Sequence, residues 1–156
     1  MKVKLMILAS TLQWIMSCAV GTPFQKNSKI DESVLKPETL VTVALTEVDI
    51  SGSYSVKSVF WDRVGSVRSS LESNPGFLGG SIRREIFGSR AWTMTIWKDE
   101  QSLENFVESR EHERAMKEGG PAVRKAKFYR GKKMWKEIPI PWDLAEQLID
   151  EEGRVE

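Results

Sequence analysis

The order of apolar patterns along this 156-residue chain predicts an α+β fold. The expected architecture is ferredoxin-like, β-α-β-β-α-β, with an antiparallel sheet, two helices on one face and an additional C-terminal helix. Three observations carry this reading. Ser55–Ser73 and the stretch after Trp97 have helical apolar spacing. Between them, Phe77–Phe87 and Arg90–Trp97 alternate as two strands joined by a Gly-Ser turn. Strand-like segments also flank the whole, at Thr39–Val48 and within Val123–Glu137.

Each element has a local reason. Val41, Val43 and Leu45 alternate with Leu40, Thr42, Ala44 and Thr46, so the first strand is apolar on both faces and predicted to be buried on both. Asp49–Ser53, with Gly52, turns the chain. Val56, Val59, Phe60, Val64, Val67 and Leu71 make one helical stripe, and Asn74-Pro75-Gly76 stops it. In the second strand Leu78, Ile82 and Ile86 share one face, against Ser81, Arg83 and Glu85 on the other. Gly79-Gly80 marks a bulge or a close backbone approach. Gly88-Ser89 suits a two-residue type II′ turn, with Gly at its first central position. Trp92, Met94 and Ile96 then oppose Thr93, Thr95 and Trp97.

Asp99 or Ser102 is positioned to cap the second helix. Its stripe of Leu103, Phe106, Val107 and Arg110 continues through His112, Ala115 and Met116 with an offset near Ser109. Gly119-Gly120-Pro121 ends it. A fourth strand is expected towards the end of Val123–Glu137, and a short helix over Asp143–Glu152 stops at Gly153.

The N-terminus reads differently. Lys2 and Lys4 precede an apolar run, Leu5–Met16, too short for a membrane span of about 20 residues. Ile15-Met16-Ser17-Cys18 is similar to a bacterial lipoprotein signal in which Cys18 receives lipid; the alternative is a plain signal peptide with an incidental Cys. The expected division is a signal over 1–17, a flexible tether over 18–37 rich in polar residues and carrying Pro23 and Pro37, and a domain over 38–153. This implies an exported, lipid-anchored protein of the bacterial cell envelope.

Composition narrows the function classes. With 23 basic and 22 acidic residues, the charge gives no reason to expect nucleic acid as a partner. The basic run Arg124–Lys136 reads as a solvated edge strand blunted by lysines. One His and one Cys cannot supply the roughly four ligands of a structural zinc site, and no metal or other cofactor is expected.

Gly76–Met116 resembles the antibiotic biosynthesis monooxygenase superfamily of dimeric α+β barrels. The matching features are Gly76-Phe77 before strand two, Thr95-Ile96-Trp97-Lys98 closing strand three, and the helix Leu103–Met116 with Phe106 and Ser109. An uncharacterised subset also shares the Arg83–Gly88 run, the spacing Ser109, His112, Met116, and a late helix at Pro141-Trp142-Asp143. The resemblance implies a homodimer burying the second sheet face, near Phe77, Phe87 and Trp97. It also implies cofactor-independent oxygenation of a small aromatic or quinol-type molecule. A haem-degrading branch uses an Asn on strand one, a Trp on helix two and a His near that helix's end. Aligned through Trp97, the last two positions are Phe106 and Met116, and strand one has no Asn.

Two residues are catalytic candidates. His112 is the only imidazole and suits a base or donor near neutral pH; it equally suits a helix-end histidine that satisfies a carbonyl or packs on Trp97. Arg84 shares strand parity with Leu78, Ile82 and Ile86, so it is expected to point at the helices. There it either grips an anionic oxygen through its fork or snorkels out at the sheet edge. Trp92, Trp97, Phe106 and Met116 are candidates for lining a substrate pocket, and each also reads as core or interface. Three functions follow: a monooxygenase-like enzyme using Arg84 and His112, a non-catalytic ligand-binding or structural module, and a haem or tetrapyrrole binder.

Overall fold

The computed structural model describes residues 18–31, 33 and 35–155, and the expected signal over 1–17 lies outside the described residues. Its elements are β1 Ala19–Gly21, β2 Gln25–Lys26, β3 Leu40–Ile50, α1 Tyr54–Leu71, β4 Phe77–Glu85, β5 Arg90–Trp97, α2 Glu100–Val107, α3 Arg110–Gly119, β6 Val123–Met134, α4 Trp142–Glu152 and β7 Arg154–Val155. The sheet runs β1-β4-β5-β3-β6-β7, with β2 also on β4, and every pairing is antiparallel. The inner order β4-β5-β3-β6 is the ferredoxin-like arrangement that the sequence predicts.

Helices α1 and α2 cover one face. Phe77, Trp97, Leu103 and Phe106 pack there with Val67 and Leu71, while Ala91, Ile50 and Ala122 pack with Val56, Phe60 and Trp61. Val59, expected on this stripe, is exposed. Ser53 caps α1 by accepting from the Val56 N–H, and Asp99 caps α2 through the Ser102 N–H. The predicted offset near Ser109 is a break between two helices. The Ser109 hydroxyl accepts from the His112 N–H and starts α3 afresh.

The second sheet face departs from expectation. Val41, Val43, Leu45, Trp92, Met94, Ile96 and Tyr129 lie on it, and Ala145, Leu148 and Ile149 of α4 pack against them. Phe77 and Trp97 belong to the opposite, helix-covered side, and Phe87 is exposed at the hairpin. The surface that suggested a second copy is therefore covered by the chain's own α4. Arg83 of β4 and Glu146 of α4 form an ion pair across this contact, as do Lys127 and Asp150.

A second departure concerns 18–37. β1 pairs Ala19, Val20 and Gly21 with Glu85, Arg84 and Arg83, and β2 pairs Gln25 and Lys26 with Gly80 and Gly79. The buried Asn27 side chain donates to the Phe77 carbonyl at 2.9 Å. The first part of the expected tether is thus an added sheet edge. Gly79 permits this docking: a Cβ there would stand 2.7 Å from the Gln25 carbonyl oxygen and 2.7 Å from the Phe24 ring. The register shift between Phe77 and Gly79 is the bulge that the Gly pair suggests. It also moves Leu78 off the Ile82 face and into the α4-side core.

The hairpin turn differs as well. The strands stop at Glu85 and Arg90, and Gly88 does not adopt positive φ, so no type II′ turn forms there. Instead the Glu85 carboxylate accepts from the Arg90 N–H at 3.1 Å and from its Nε at 2.9 Å, bracing a four-residue loop. Gly88 leaves room for that carboxylate.

Candidate functional site

The docked N-terminal edge creates a cavity that no helix or sheet would make alone. It measures about 380 Å³ and lies between α1 and β1–β4, lined by Val20, Gly21, Thr22, Trp61, Val64, Gly65, Arg68, Ile82 and Arg84. α1 supplies Trp61, Val64, Gly65 and Arg68 at the spacing of one helical face. β4 supplies Ile82 and Arg84 at strand parity. Thr22 is fixed by accepting from the Ile82 N–H through its hydroxyl at 3.1 Å, while its own N–H donates to the Ile82 carbonyl at 2.8 Å.

Arg84 points to the helix side, as its parity predicts. Its guanidinium lies 5.5 Å from the Trp61 ring centre, and among the described residues no carboxylate pairs with it. Stacking on an aromatic face leaves the N–H edge of a guanidinium available to an acceptor. Arg68 donates through Nη2 to the neutral Gln25 Oε1 at 2.8 Å, so its charge is not balanced by that contact. The cavity thus has an apolar floor of Val20, Val64, Ile82 and Trp61 with two cations at its margin. Among the described residues the lining contains no imidazole and no carboxylate.

The other predicted residues do not join Arg84. His112 sits on α3, its Nδ1–H donating to the Val107 carbonyl at 3.0 Å and its ring 5.0 Å from that of Phe106. This is the carbonyl-satisfying arrangement, with Phe106 in place of Trp97 as the packing partner. Burial holds the imidazole pKa below its ordinary 6.5, against the opposing pull of the Val107 carbonyl. Trp97 and Phe106 pack at 5.0 Å, with Phe77 at 5.3 Å from Trp97; they fill the space under α2 and line neither the Arg84 cavity nor the one on the α4 side. Trp92 lies on the opposite face, donating Nε1–H to Glu47 at 2.8 Å, with the Arg90 and Arg83 guanidinia 5.0 and 5.6 Å from its ring. Met116 is exposed. These four side chains therefore do not form one pocket. Cys18 is exposed at the start of β1.

The depressed His112 pKa has a testable sign. The unfolded chain takes up a proton near pH 6.5, before the folded one does, so His112 contributes stability above that pH and loses it as pH falls. The wild-type Tm minus that of His112→Leu is expected to shrink between pH 7.5 and pH 5.5, roughly through the ordinary histidine range. A difference constant across that range would contradict the half-buried, neutral assignment.

A second cavity of about 350 Å³ lies on the α4 side, lined by Thr22, Phe24, Ser81, Met94 and the segment Pro139–Trp142. It carries no charged side chain, and the Ser81 hydroxyl is already committed to the Thr22 carbonyl at 2.8 Å. The sequence missed the charged cavity because a third of its wall lies in the expected tether. Besides Arg84, the available signal was Trp61, Val64 and Arg68 at helical spacing, Val64 within the main stripe and the other two beside it.

No family model matches the chain, and no curated protein matches it. Solved structures do share its fold. A proposed monooxygenase from Lactobacillus acidophilus NCFM superposes with a TM-score of 0.51 at 12% identity, over 64% of this chain and 49% of that one. The chain thus spans about half the length of that protein. A proposed antibiotic biosynthesis monooxygenase from Nitrosomonas europaea gives a TM-score of 0.52 at 10% identity, over 58% of this chain and 95% of that one. A conserved protein from Methanosarcina mazei Go1 gives 0.52 at 13% identity, over 63% and 95%. The chain therefore has the ferredoxin-like fold of antibiotic biosynthesis monooxygenase-like proteins. At these identities the likeness concerns the fold.

Proposed function

We propose that this protein is a lipid-anchored cell-envelope protein of monooxygenase-like fold that binds a small aromatic anion between α1 and the β1–β4 edge. The observation that carries the reading is Arg84. It is stacked on Trp61, has no carboxylate partner among the described residues, and stands with Arg68 at the margin of an apolar cavity. An aromatic body would rest on Val64, Ile82 and Trp61, and its oxyanion would accept from the two guanidinium forks. A deprotonated quinol, a hydroxynaphthalene or an aromatic carboxylate has this chemistry. With neither imidazole nor carboxylate in the lining, the site suits a ligand that arrives ionised or is ionised by the arginines.

Turnover is the second reading. An electron-rich anion held beside a cation is poised to give electrons to dioxygen, and the fold is that of monooxygenase-like proteins. The remote position of His112 favours binding over chemistry that needs a base. Oxygen uptake with a panel of quinols and hydroxynaphthalenes separates the two: binding without uptake supports the first, and uptake abolished by Arg84→Gln supports the second.

Attachment at Cys18 has its own test. Labelled palmitate fed to expressing bacteria is expected to mark the wild-type chain and not Cys18→Ala. No label on the wild type, or equal label on both, would remove the anchor.

A further inference from the structure

The docking of 18–27 onto β4 removes the slack that a tether would give. Cys18, the proposed attachment point, is itself pinned: its carbonyl accepts from the Ile86 N–H at 2.8 Å. A lipid on Cys18 would therefore leave the domain beside the β4–β5 hairpin tip. That tip is apolar and bare. Phe87 is 93% exposed and Ile86 55%, and Val20, opposite Arg84 in the register, is 51% exposed.

The same end carries more of this character. The Ile50 N–H donates to the Ser89 carbonyl at 2.8 Å, bringing the β3–α1 turn against the hairpin. Tyr54, four residues after Ile50, is 88% exposed. Arg84 and Lys125 are exposed there too, Lys125 lying opposite Asp49 in the β3–β6 register. Single exposed apolar residues are ordinary on a protein surface. Here aromatic and aliphatic side chains lie with cations at the end of the sheet where the proposed anchor residue sits, which is the composition of a bilayer-contacting surface.

We infer that the 86–87 hairpin tip, with Val20 and Tyr54, docks on an anionic lipid bilayer and holds the domain in one orientation beside its anchor. This rests on the membrane attachment proposed above. Phe87 and Ile86 enter the headgroup boundary, while Lys125 faces lipid phosphates. Val20 belongs to both the patch and the charged cavity, so the ligand site borders the membrane contact.

The test uses the mature protein isolated from expressing bacteria, on vesicles of phosphatidylethanolamine and phosphatidylglycerol containing a doxyl-labelled lipid as quencher. A nitrobenzoxadiazole probe is attached through Phe87→Cys, and in a second protein through Gln101→Cys. Gln101 is exposed and lies beyond the far end of β5, about 25 Å from the tip along an extended strand. Wild-type chain treated in parallel reports any label on Cys18. Phe87 makes no core contact, so its replacement leaves the fold intact. The expected result is quenching by about twofold or more at position 87, for a group in the acyl boundary, and no change at 101. Unquenched emission at 87 on a chain that co-sediments with vesicles overturns the docking but leaves the anchor standing. Quenching equal at both positions overturns the single orientation. A chain that does not co-sediment overturns the attachment and the docking together, without touching the ligand site.

Discussion

Ile149→Ala is expected to destabilise the protein by about 2–5 kcal/mol, the range for truncating a buried aliphatic side chain. For a domain of this size that corresponds to a fall of roughly 6–15 °C in Tm. Ile149 is fully buried and, with Ala145 and Leu148, anchors α4 over Trp92, Met94 and Ile96. The cost is structural in a particular way. α4 stands where a second copy's sheet was expected, so loosening it bares the apolar face that it covers. Thermal unfolding and dye binding read the two consequences separately. A Tm change below about 2 °C would mean that α4 contributes little to the core.

Arg84→Gln is expected to weaken binding of an aromatic carboxylate by about tenfold or more, the scale of a lost hydrogen bond to a charged group. The fold should be unaffected, because Arg84 is exposed and braces no element by an ion pair among the described residues. Gln keeps length and hydrogen-bonding capacity but removes the charge and the fork. Thermal denaturation establishes that the variant is folded, and calorimetric titration measures the loss. Unchanged affinity would move the ligand elsewhere.

Much of the fold was legible because it rests on periodicity. Strands β3 and β5, helix α1 and the late helix α4 each carry a clear period of about 2 or 3.6 residues. The break at Ser109 was visible as an offset in the α2–α3 stripe, since a capping serine there restarts the helix. What the pattern hid was context. Residues 18–27 lack periodicity because an edge strand of two or three residues needs none; its docking depends on Gly79 leaving space for the Gln25 carbonyl. The Gly88-Ser89 turn misled because the Glu85–Arg90 bracket, a side-chain contact across five residues, takes the place of a type II′ turn. Trp97 and Phe77 were placed on the wrong face because the α4 cover was not anticipated from a helix eleven residues long.

The candidate site was half legible. Arg84 stood out because a cation at an inward strand position requires an explanation. Its partners did not, since Trp61 and Arg68 read as helix surface and Val20 and Thr22 as linker. His112 drew attention as the lone imidazole, and the Val107 carbonyl and the Phe106 ring account for it.

The most direct test compares 2-naphthoate with 2-naphthamide by calorimetric titration against the wild-type chain and Arg84→Gln. The two ligands share shape and aromatic area and differ in charge. The expected result is that the wild type prefers the carboxylate by about tenfold or more and that Arg84→Gln erases the preference. Equal affinities in the wild type, or a carboxylate preference that survives Arg84→Gln, would contradict the assignment of this cavity as an aromatic-anion site.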